Sequence, residues 1–268
     1  MDKRLLEIAQ KCKDFLEKRN SLYLKADILI PEEVRDEALK IYDMGLFTSH
    51  RVSHGKGWSS ATLYGEDWNI THYNENVKDK YKWTKLTEYA PVMTDWLKNT
   101  FPNNGKYGRC RFMLLEPGGF IRKHTDTHKW QEGMTLKNDI TSAINIAITQ
   151  PKNCYLRSCD TLEEVPFEER SVFWFNNGPF HEAANFSKEP RIHFILHGGS
   201  NEERIRLFVN SFEKEYGKFL CVFVLWILAK FLFASSDSTL RFWLRRTSRT
   251  KHKISSLLIF ISLSVIVD

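Results

Sequence analysis

A histidine and an aspartate two residues apart, His124 and Asp126, form the first pair of side chains in this sequence that suits a metal ion. In an extended chain, residues i and i+2 project to the same side, so both groups can reach one ion. We take His181, which lies 57 residues after His124 within FHEAAN, as the third ligand. Two histidines and one carboxylate on one face of an octahedron hold Fe(II) and leave three positions open. We therefore predict a catalytic Fe(II) centre made by His124, Asp126 and His181.

An arginine follows ten residues after His181, in the run RIHFIL. If this run is a strand, Arg191 shares one face with His193 and Ile195. A guanidinium binds a carboxylate through two parallel hydrogen bonds, which suits the distal carboxylate of 2-oxoglutarate. We predict that Arg191 binds this co-substrate.

Each of these residues taken alone has a plainer interpretation. His124 and Asp126 suit a surface turn, His181 suits a hydrogen-bonded core histidine, and Arg191 suits a surface ion pair with Glu189 or Glu182. The metal site is favoured because the four residues occur in this order, at this spacing and on successive strand-like runs.

Several other residues near these positions are weaker candidates for a role in the site. His128 could compete as a ligand, whereas His193 and His197 are typical of strand residues beside a site. The remaining candidates are possible pocket residues and substrate contacts: Trp58, Tyr64, Trp68, Arg111 and Arg122.

The first hundred residues are mainly helical in pattern. Apolar residues recur at helical spacing over 3–19, and a second helix is predicted between Pro31 and Gly45. A third helix is predicted over 87–100, before Pro102. The polar stretch 53–76 is predicted to be a long loop or short hairpins.

From Tyr107 onward the period of the pattern changes from helix to strand. YGRCRFMLLEPGGF indicates a strand followed by a Pro-Gly-Gly turn, and residues 140–149 alternate. Short strand-like runs follow, separated by turns: NCYLRS, SVFWF, FHEAAN and RIHFIL. This layout predicts an α+β fold in which N-terminal helices brace an antiparallel barrel or jelly roll.

Residues 107–199 resemble the double-stranded β-helix core of the 2-oxoglutarate/Fe(II) oxygenases, in particular the aspartyl/asparaginyl β-hydroxylase and bacterial proline hydroxylase branch. The resemblance lies in QPKNCYLRSCD and in EEVPFEERSVFWFNNGPFHEAANFSKEPRIHFILHG. It implies Fe(II), with 2-oxoglutarate and dioxygen as co-substrates, and hydroxylation of a Pro, Asp or Asn side chain.

Two positions depart from that branch. Aspartyl β-hydroxylases have glycine where this chain has Asp126, so the chain is closer to proline hydroxylases with a full triad. The branch also has Arg-x-His on the strand after the first ligand, where this chain has Ala143 and Asn145. We predict that Asn145 contributes to co-substrate binding through a hydrogen bond.

Charge is distributed unevenly along the chain. The net charge is +6, but from Lys218 onward there are eight basic and two acidic residues, so the first 217 residues are neutral. A neutral body argues against a nucleic-acid partner. Five cysteines without a C-x-x-C pair, and no secretory signal, predict a reduced, cytoplasmic protein.

Three regions are predicted: a helical and loop support over 1–106, the β-core over 107–217 with a closing helix over 201–216, and a hydrophobic and basic tail over 218–268. The apolar run 219–235 predicts membrane contact, as an interfacial or re-entrant anchor. The partner is a small molecule or a peptide. The alternative function is a non-catalytic cupin-like module that binds a ligand, or a membrane-tethered interaction protein.

Overall fold

A computed structural model describes residues 2–19, 21–71, 80–102, 107–126, 143–176, 178–198 and 201–217. The helices are α1 (Lys3–Lys18), α2 (Glu33–Asp43), α3 (Pro91–Thr100) and residues 202–217. The early strands are β1 (Tyr23–Leu29), β2 (Thr48–Ser49), β3 (Gly55–Gly65) and β4 (Lys82–Trp83). The later strands are β5 (Tyr107–His124), β6 (Ala143–Ala147), β7 (Cys154–Ser158), β8 (Ser171–Phe175), β9 (His181–Asn185) and β10 (Arg191–Gly198).

All ten strands belong to one curled antiparallel sheet. One path through it runs β1-β8-β6-β10-β5-β3-β2, while β7 pairs with β9 and β9 pairs with β5. The sheet thus has two parts, the main path and the β7–β9 pair, and the long strand β5 belongs to both. Its first half pairs with β10, and its second half pairs with β9. The predicted combination of helices with an antiparallel sheet is confirmed.

The predicted turn at Pro117-Gly118-Gly119 was wrong, because β5 continues through it to His124. The register against β3 shifts there, from Leu115 opposite Trp58 to Phe120 opposite Lys56. Gly118 takes a φ of 71°, which a residue with a side chain rarely adopts. The glycines thus form a bulge that redirects one strand, not a hairpin that ends it.

The N-terminal region contributes strands to the sheet. The stretch 53–76 was predicted to be a long loop or short hairpins, and the strand alternative holds for Gly55–Gly65, where β3 pairs antiparallel with β2, β4 and β5. Between residues 20 and 31 the structure has β1, which pairs with β8 at the end of the main path. Residues before 107 therefore help to build the sheet itself.

The interior of the curled sheet is filled by an apolar cluster, which we call the interior cluster. Its members come from both parts of the sheet: Leu22, Leu115, Leu156, Val165, Phe173, Phe175 and Ala183. Residues directly opposite on paired strands share a face. Arg191 and Trp58 both lie opposite Leu115 and so share its interior face.

Helices cover the opposite, outer face of the main path. The ring of Trp174 on β8 contacts Phe101, at the end of α3, and Phe208 of the helix 202–217. Phe112 and Phe194 meet edge to face on neighbouring strands, 4.9 Å between centroids, and both are fully buried. These helices therefore pack against the face of the sheet that is opposite the predicted site.

The chain divides into two compact units, Met1–Ser211 and Phe212–Asp268. In the second unit the described residues 212–217 are helical. Among the residues that the structure describes, no helix is long and apolar enough to cross a membrane. The predicted anchor 219–235 lies outside those residues.

A buried carboxylate joins α2 to α3. Glu37 is 9% exposed and accepts hydrogen bonds from the backbone amides of Val92 (2.7 Å) and Met93 (3.0 Å). These amides lie in the first turn of α3, where backbone donors have no partner within the helix. Burial raises the pKa of Glu37, and the two backbone hydrogen bonds oppose that rise.

Replacing Glu37 with alanine should lower the free energy of unfolding by about 2–4 kcal/mol, because two buried amides lose their acceptor. Glu37→Gln should lose less, since its amide oxygen still accepts one bond and no charge is desolvated. Glu33→Ala, an exposed acid on the same helix, should change stability by no more than about 0.5 kcal/mol. Urea denaturation of the three variants tests this, and equal losses for Glu37→Ala and Glu33→Ala would contradict it.

Candidate metal centre

Three predicted ligands converge at the end of β5. His124 is the last residue of β5, and the register places it opposite His181, the first residue of β9. Asp126 follows two residues after His124, and its Oδ1 lies 3.7 Å from His124 Nε2. The ligand atoms of all three residues lie within 4.8 Å of one another. Within the described ranges, this is the only group of three or more such side chains.

Both imidazoles present the same nitrogen to the space between them. The Nδ1 atom of His124 lies 2.8 Å from the carbonyl oxygen of Arg122, and that of His181 lies 2.9 Å from the carbonyl oxygen of Pro179. A carbonyl can only accept, so each Nδ1 carries the proton and each Nε2 keeps its lone pair. Backbone carbonyls orient metal-binding histidines in this way. The donor set therefore fits a divalent transition metal.

The electrostatic surroundings of the three predicted ligands favour metal binding. Burial raises the pKa of Asp126, but the nearby His181 and His124 outweigh it, and the pKa lies below its usual range. His181 is 3% exposed, and burial lowers its pKa. Both shifts favour the ionised carboxylate and the neutral His181 ring, the forms in which these two side chains bind a metal ion.

Aromatic rings enclose the group on two sides. The Trp58 ring lies 6.2 Å from that of His124 and meets His50 edge to face at 4.4 Å. The Phe175 ring meets His181 at 5.1 Å. Of the three aromatic candidates in 53–76, Trp58 alone is found beside a ligand of the triad.

The other two aromatic candidates pack elsewhere. Tyr64 meets Trp83 edge to face at 5.2 Å, and Trp68 lies under the ammonium group of Lys85 at 4.6 Å. His50 was not singled out from the sequence, since nothing in its local pattern sets it apart. It reaches the site because its backbone amide donates to Trp58 across the sheet.

Arg191 lies in the interior of the sheet and is 6% exposed. Its Nε donates to Gln150 Oε1 (3.3 Å), its Nη2 donates to His193 Nδ1 (3.1 Å), and the guanidinium carbon lies 5.7 Å from the centre of the Phe167 ring. Among the described residues no carboxylate lies within 4.0 Å of it. Burial lowers its pKa to about 10.

The predicted co-substrate contact Asn145 lies in the same buried network. Its Oδ1 is 2.9 Å from His193 Nδ1, while His193 Nε2 is 2.8 Å from Gln150 Oε1. Gln150 donates its own amide hydrogen to the Cys154 carbonyl oxygen. Burial and the nearby Arg191 hold the pKa of His193 well below its usual range.

The remaining candidates are dispersed. Arg122 is exposed, with its guanidinium carbon 6.0 Å from the centre of the Phe120 ring. Arg111 is buried and His197 is partly buried, and both lie close enough to Asp126 for the charges to interact. His128 lies outside the described residues.

Comparison with known proteins gives both structural and family likenesses. No curated protein matches the chain. A Trichoplax adhaerens prolyl hydroxylase, solved with a hypoxia-inducible-factor peptide, is 12% identical over 75% of this chain and 93% of its own, with a TM-score of 0.45. A Pseudomonas putida prolyl-4-hydroxylase is 13% identical over 71% and 99%, with a TM-score of 0.39.

A Burkholderia pseudomallei oxidoreductase of the 2OG-Fe(II) oxygenase family is 9% identical over 72% of this chain and 93% of its own, with a TM-score of 0.37. The family described as aspartyl/asparaginyl beta-hydroxylase matches residues 31–198, which is more than half of the chain and includes every predicted site residue. The chain therefore belongs to the aspartyl/asparaginyl beta-hydroxylase family.

Proposed function

We propose that this protein is an Fe(II)- and 2-oxoglutarate-dependent dioxygenase that hydroxylates an amino-acid or peptidyl side chain of the Pro, Asp or Asn type. The observation that carries the proposal is the convergence of His124, Asp126 and His181, with the Nδ1 atom of each imidazole held by a backbone carbonyl oxygen. Membership of a hydroxylase family supports an oxidoreductase. The same membership, with a sheet branched at β5, supports a double-stranded β-helix.

The three protein ligands would hold Fe(II) through two imidazole Nε2 atoms and one carboxylate oxygen. Three protein ligands leave open positions for a chelating co-substrate and for dioxygen. Dioxygen would be the oxidant, activated at the bound Fe(II), and 2-oxoglutarate would supply the two further electrons that its reduction requires, leaving as succinate and carbon dioxide. The chain supplies the fixed geometry and the surroundings.

Arg191 suits the distal carboxylate of 2-oxoglutarate because, among the described residues, no carboxylate compensates its charge. Its described hydrogen-bond partners, Gln150 and His193, are neutral. A buried guanidinium without a counter-ion is costly, and a carboxylate that binds through two hydrogen bonds removes that cost. Phe167 lies beside the guanidinium and packs against the interior cluster, so the surroundings of Arg191 are partly apolar.

The alternative, a non-catalytic ligand-binding module, would also use a pocket in the sheet. Such a module does not need two oriented imidazoles, a carboxylate and a separate buried arginine together. Turnover of 2-oxoglutarate to succinate by the iron-loaded protein, measured with and without added candidate amino acids and peptides, distinguishes the two functions.

Replacing His181 with alanine should weaken binding of Mn(II) by at least about 100-fold, because the loss of a ligand should cost no less than the loss of an outer-shell partner. His54→Ala, an exposed histidine near the site, is the matched control and should bind as the parent does. Anaerobic calorimetric titration gives both affinities. Equal affinities for the parent and His181→Ala would remove His181 from the metal centre.

Replacing Arg191 with methionine should weaken 2-oxoglutarate binding by about 30- to 150-fold, equivalent to about 2–3 kcal/mol for a charge-assisted bidentate contact. The metal affinity should stay unchanged, since Arg191 touches no ligand. The visible band that forms when 2-oxoglutarate binds the anaerobic Fe(II) protein measures the midpoint. Arg122→Met, which removes an exposed arginine, is the control, and a shared midpoint for both variants would refute the role of Arg191.

A further inference from the structure

Uncharged side chains hold Arg191 along one edge of its guanidinium group. A guanidinium has five N–H donors in a rigid plane, and its Nε hydrogen lies parallel to one hydrogen of Nη2 along a side edge. Nε donates to Gln150 Oε1 at 3.3 Å, and Nη2 donates to His193 Nδ1 at 3.1 Å. Within the described part of the chain, no residue accepts a hydrogen bond from Nη1. The end of the group at Nη1 is therefore the part that remains available to a carboxylate.

Gln150 contacts both Arg191 and His193. Its Oε1 atom, which accepts from Arg191 Nε, also lies 2.8 Å from Nε2 of the His193 ring. A guanidinium can only donate, so the Gln150 atom that faces it is the oxygen and not the nitrogen. The amide nitrogen donates instead to the carbonyl oxygen of Cys154, at 3.1 Å. Gln150 is thus fixed in one orientation, with its acceptor toward the guanidinium.

The backbone beside Gln150 is joined to the backbone beside Arg191. The hydroxyl group of Thr149 donates to the carbonyl oxygen of Pro190 at 2.9 Å and accepts from the amide of Ile192 at 2.7 Å. The backbone amide of Thr149 also donates to the carbonyl oxygen of Ile192, at 2.9 Å. These three hydrogen bonds connect the residue before Gln150 to the residues on either side of Arg191. The chain therefore fixes where the Gln150 and Arg191 side chains start.

An aromatic ring encloses the same pair of buried side chains. The centre of the Phe167 ring lies 5.7 Å from the guanidinium carbon of Arg191 and 4.4 Å from the centre of the His193 ring. Arg191 is 6% exposed and His193 is 1% exposed. Arg191 therefore has little room to turn, and its hydrogen bonds decide which of its donors face a ligand.

We propose that Gln150 is a positioning residue for Arg191, which fixes the guanidinium so that its Nη1 end meets the distal carboxylate of 2-oxoglutarate. The proposal rests on the proposed function, since that function assigns Arg191 to the co-substrate. A long side chain that is held before a ligand binds loses less conformational freedom on binding, so this preorganisation raises affinity. Because Gln150 acts through Arg191, it should affect only those ligands that carry the distal carboxylate.

Two 2-keto acids separate this role from a general effect on folding. 2-Oxopentanoate has a methyl group in place of the distal carboxylate of 2-oxoglutarate, so it can chelate Fe(II) but cannot pair with Arg191. In the full chain, Gln150→Leu should weaken 2-oxoglutarate binding by about 5- to 30-fold, the range expected for one hydrogen bond, and leave 2-oxopentanoate binding unchanged. The visible band of the anaerobic Fe(II) protein measures both midpoints. Gln10→Leu, on α1, is the matched control and should bind both acids as the parent does.

A double-mutant cycle with Arg191→Met tests whether the effect passes through Arg191. In the Arg191→Met background, Gln150→Leu should cause no further loss of 2-oxoglutarate affinity. Equal losses in the two backgrounds contradict the proposal, because Gln150 then acts independently of the guanidinium.

Gln150→Glu keeps the shape of the side chain and so tests the same position without a change of volume. Its carboxylate would pair with the guanidinium and repel the distal carboxylate of 2-oxoglutarate. 2-Oxoglutarate binding should therefore weaken at least as much as in Gln150→Leu, with 2-oxopentanoate at the parental midpoint. A parental 2-oxoglutarate midpoint in both variants, or equal weakening of both acids, overturns the proposal. Tighter 2-oxoglutarate binding by Gln150→Leu also overturns it, since Gln150 then competes with the carboxylate.

Failure of the proposed function gives a different result. If Arg191→Met alone keeps the parental 2-oxoglutarate midpoint, or if neither acid produces a band, the assignment of Arg191 to the co-substrate is wrong, and the role of Gln150 is wrong with it. If Arg191→Met weakens 2-oxoglutarate binding and Gln150→Leu does not, only the role of Gln150 is wrong.

Discussion

The pairing of β5 with β9 is the contact on which the candidate site depends. The bulge at 117–119 redirects β5 from one part of the sheet to the other, and β5 then runs beside β9 as far as His124 and His181. At the far end of β9, the Asn185 amide donates to the carbonyl oxygens of Leu115 (2.9 Å) and Glu189 (2.8 Å). Both strands are thus held at both ends, so the two imidazoles are positioned before any metal binds.

The interior of the sheet combines apolar packing with two buried positive charges. Leu115 and Phe173 fill the space between the two parts of the sheet, whereas Arg191 and Arg111 extend from β10 and β5 into the same interior. Among the described residues, neither guanidinium has a carboxylate within 4.0 Å. A buried charge without such a partner lowers stability, a cost that proteins accept mainly at functional sites.

How much of the fold and of the candidate site could be predicted depends on how far apart in the sequence the interacting residues lie. The triad could be predicted because strand geometry places His124 and Asp126 on one side, and because His181 begins a run with strong strand character. The sequence left a loop or short hairpins open for the stretch that contains β3, since GKGWSSATLYG is rich in glycine and small polar residues. Those residues permit the close approach to β5: a Cβ atom on Gly55 would lie 2.1 Å from the Phe120 carbonyl oxygen.

Pairing between distant parts of the chain decided the rest. Arg111 could be selected as a candidate by its residue type, but its burial follows from the register of β3, β5 and β10. His50 had no local signal at all, because its place beside Trp58 comes from the pairing of β2 with β3. Long-range register is the information that a local pattern does not contain.

The register of these strands also bears on Asn145, one of the two positions on β6 where this chain lacks the Arg-x-His of the related branch. The resemblance places a basic residue at this position on β6, and here the amide instead contacts the buried imidazole of His193. Asn145, Ile195 and Arg111 lie in one row across three neighbouring strands. Adjacent strands are about 4.8 Å apart, so the cation lies about 10 Å across the sheet from the position on β6. The charged member of this row is therefore Arg111 on β5, which lies close enough to Asp126 for their charges to interact.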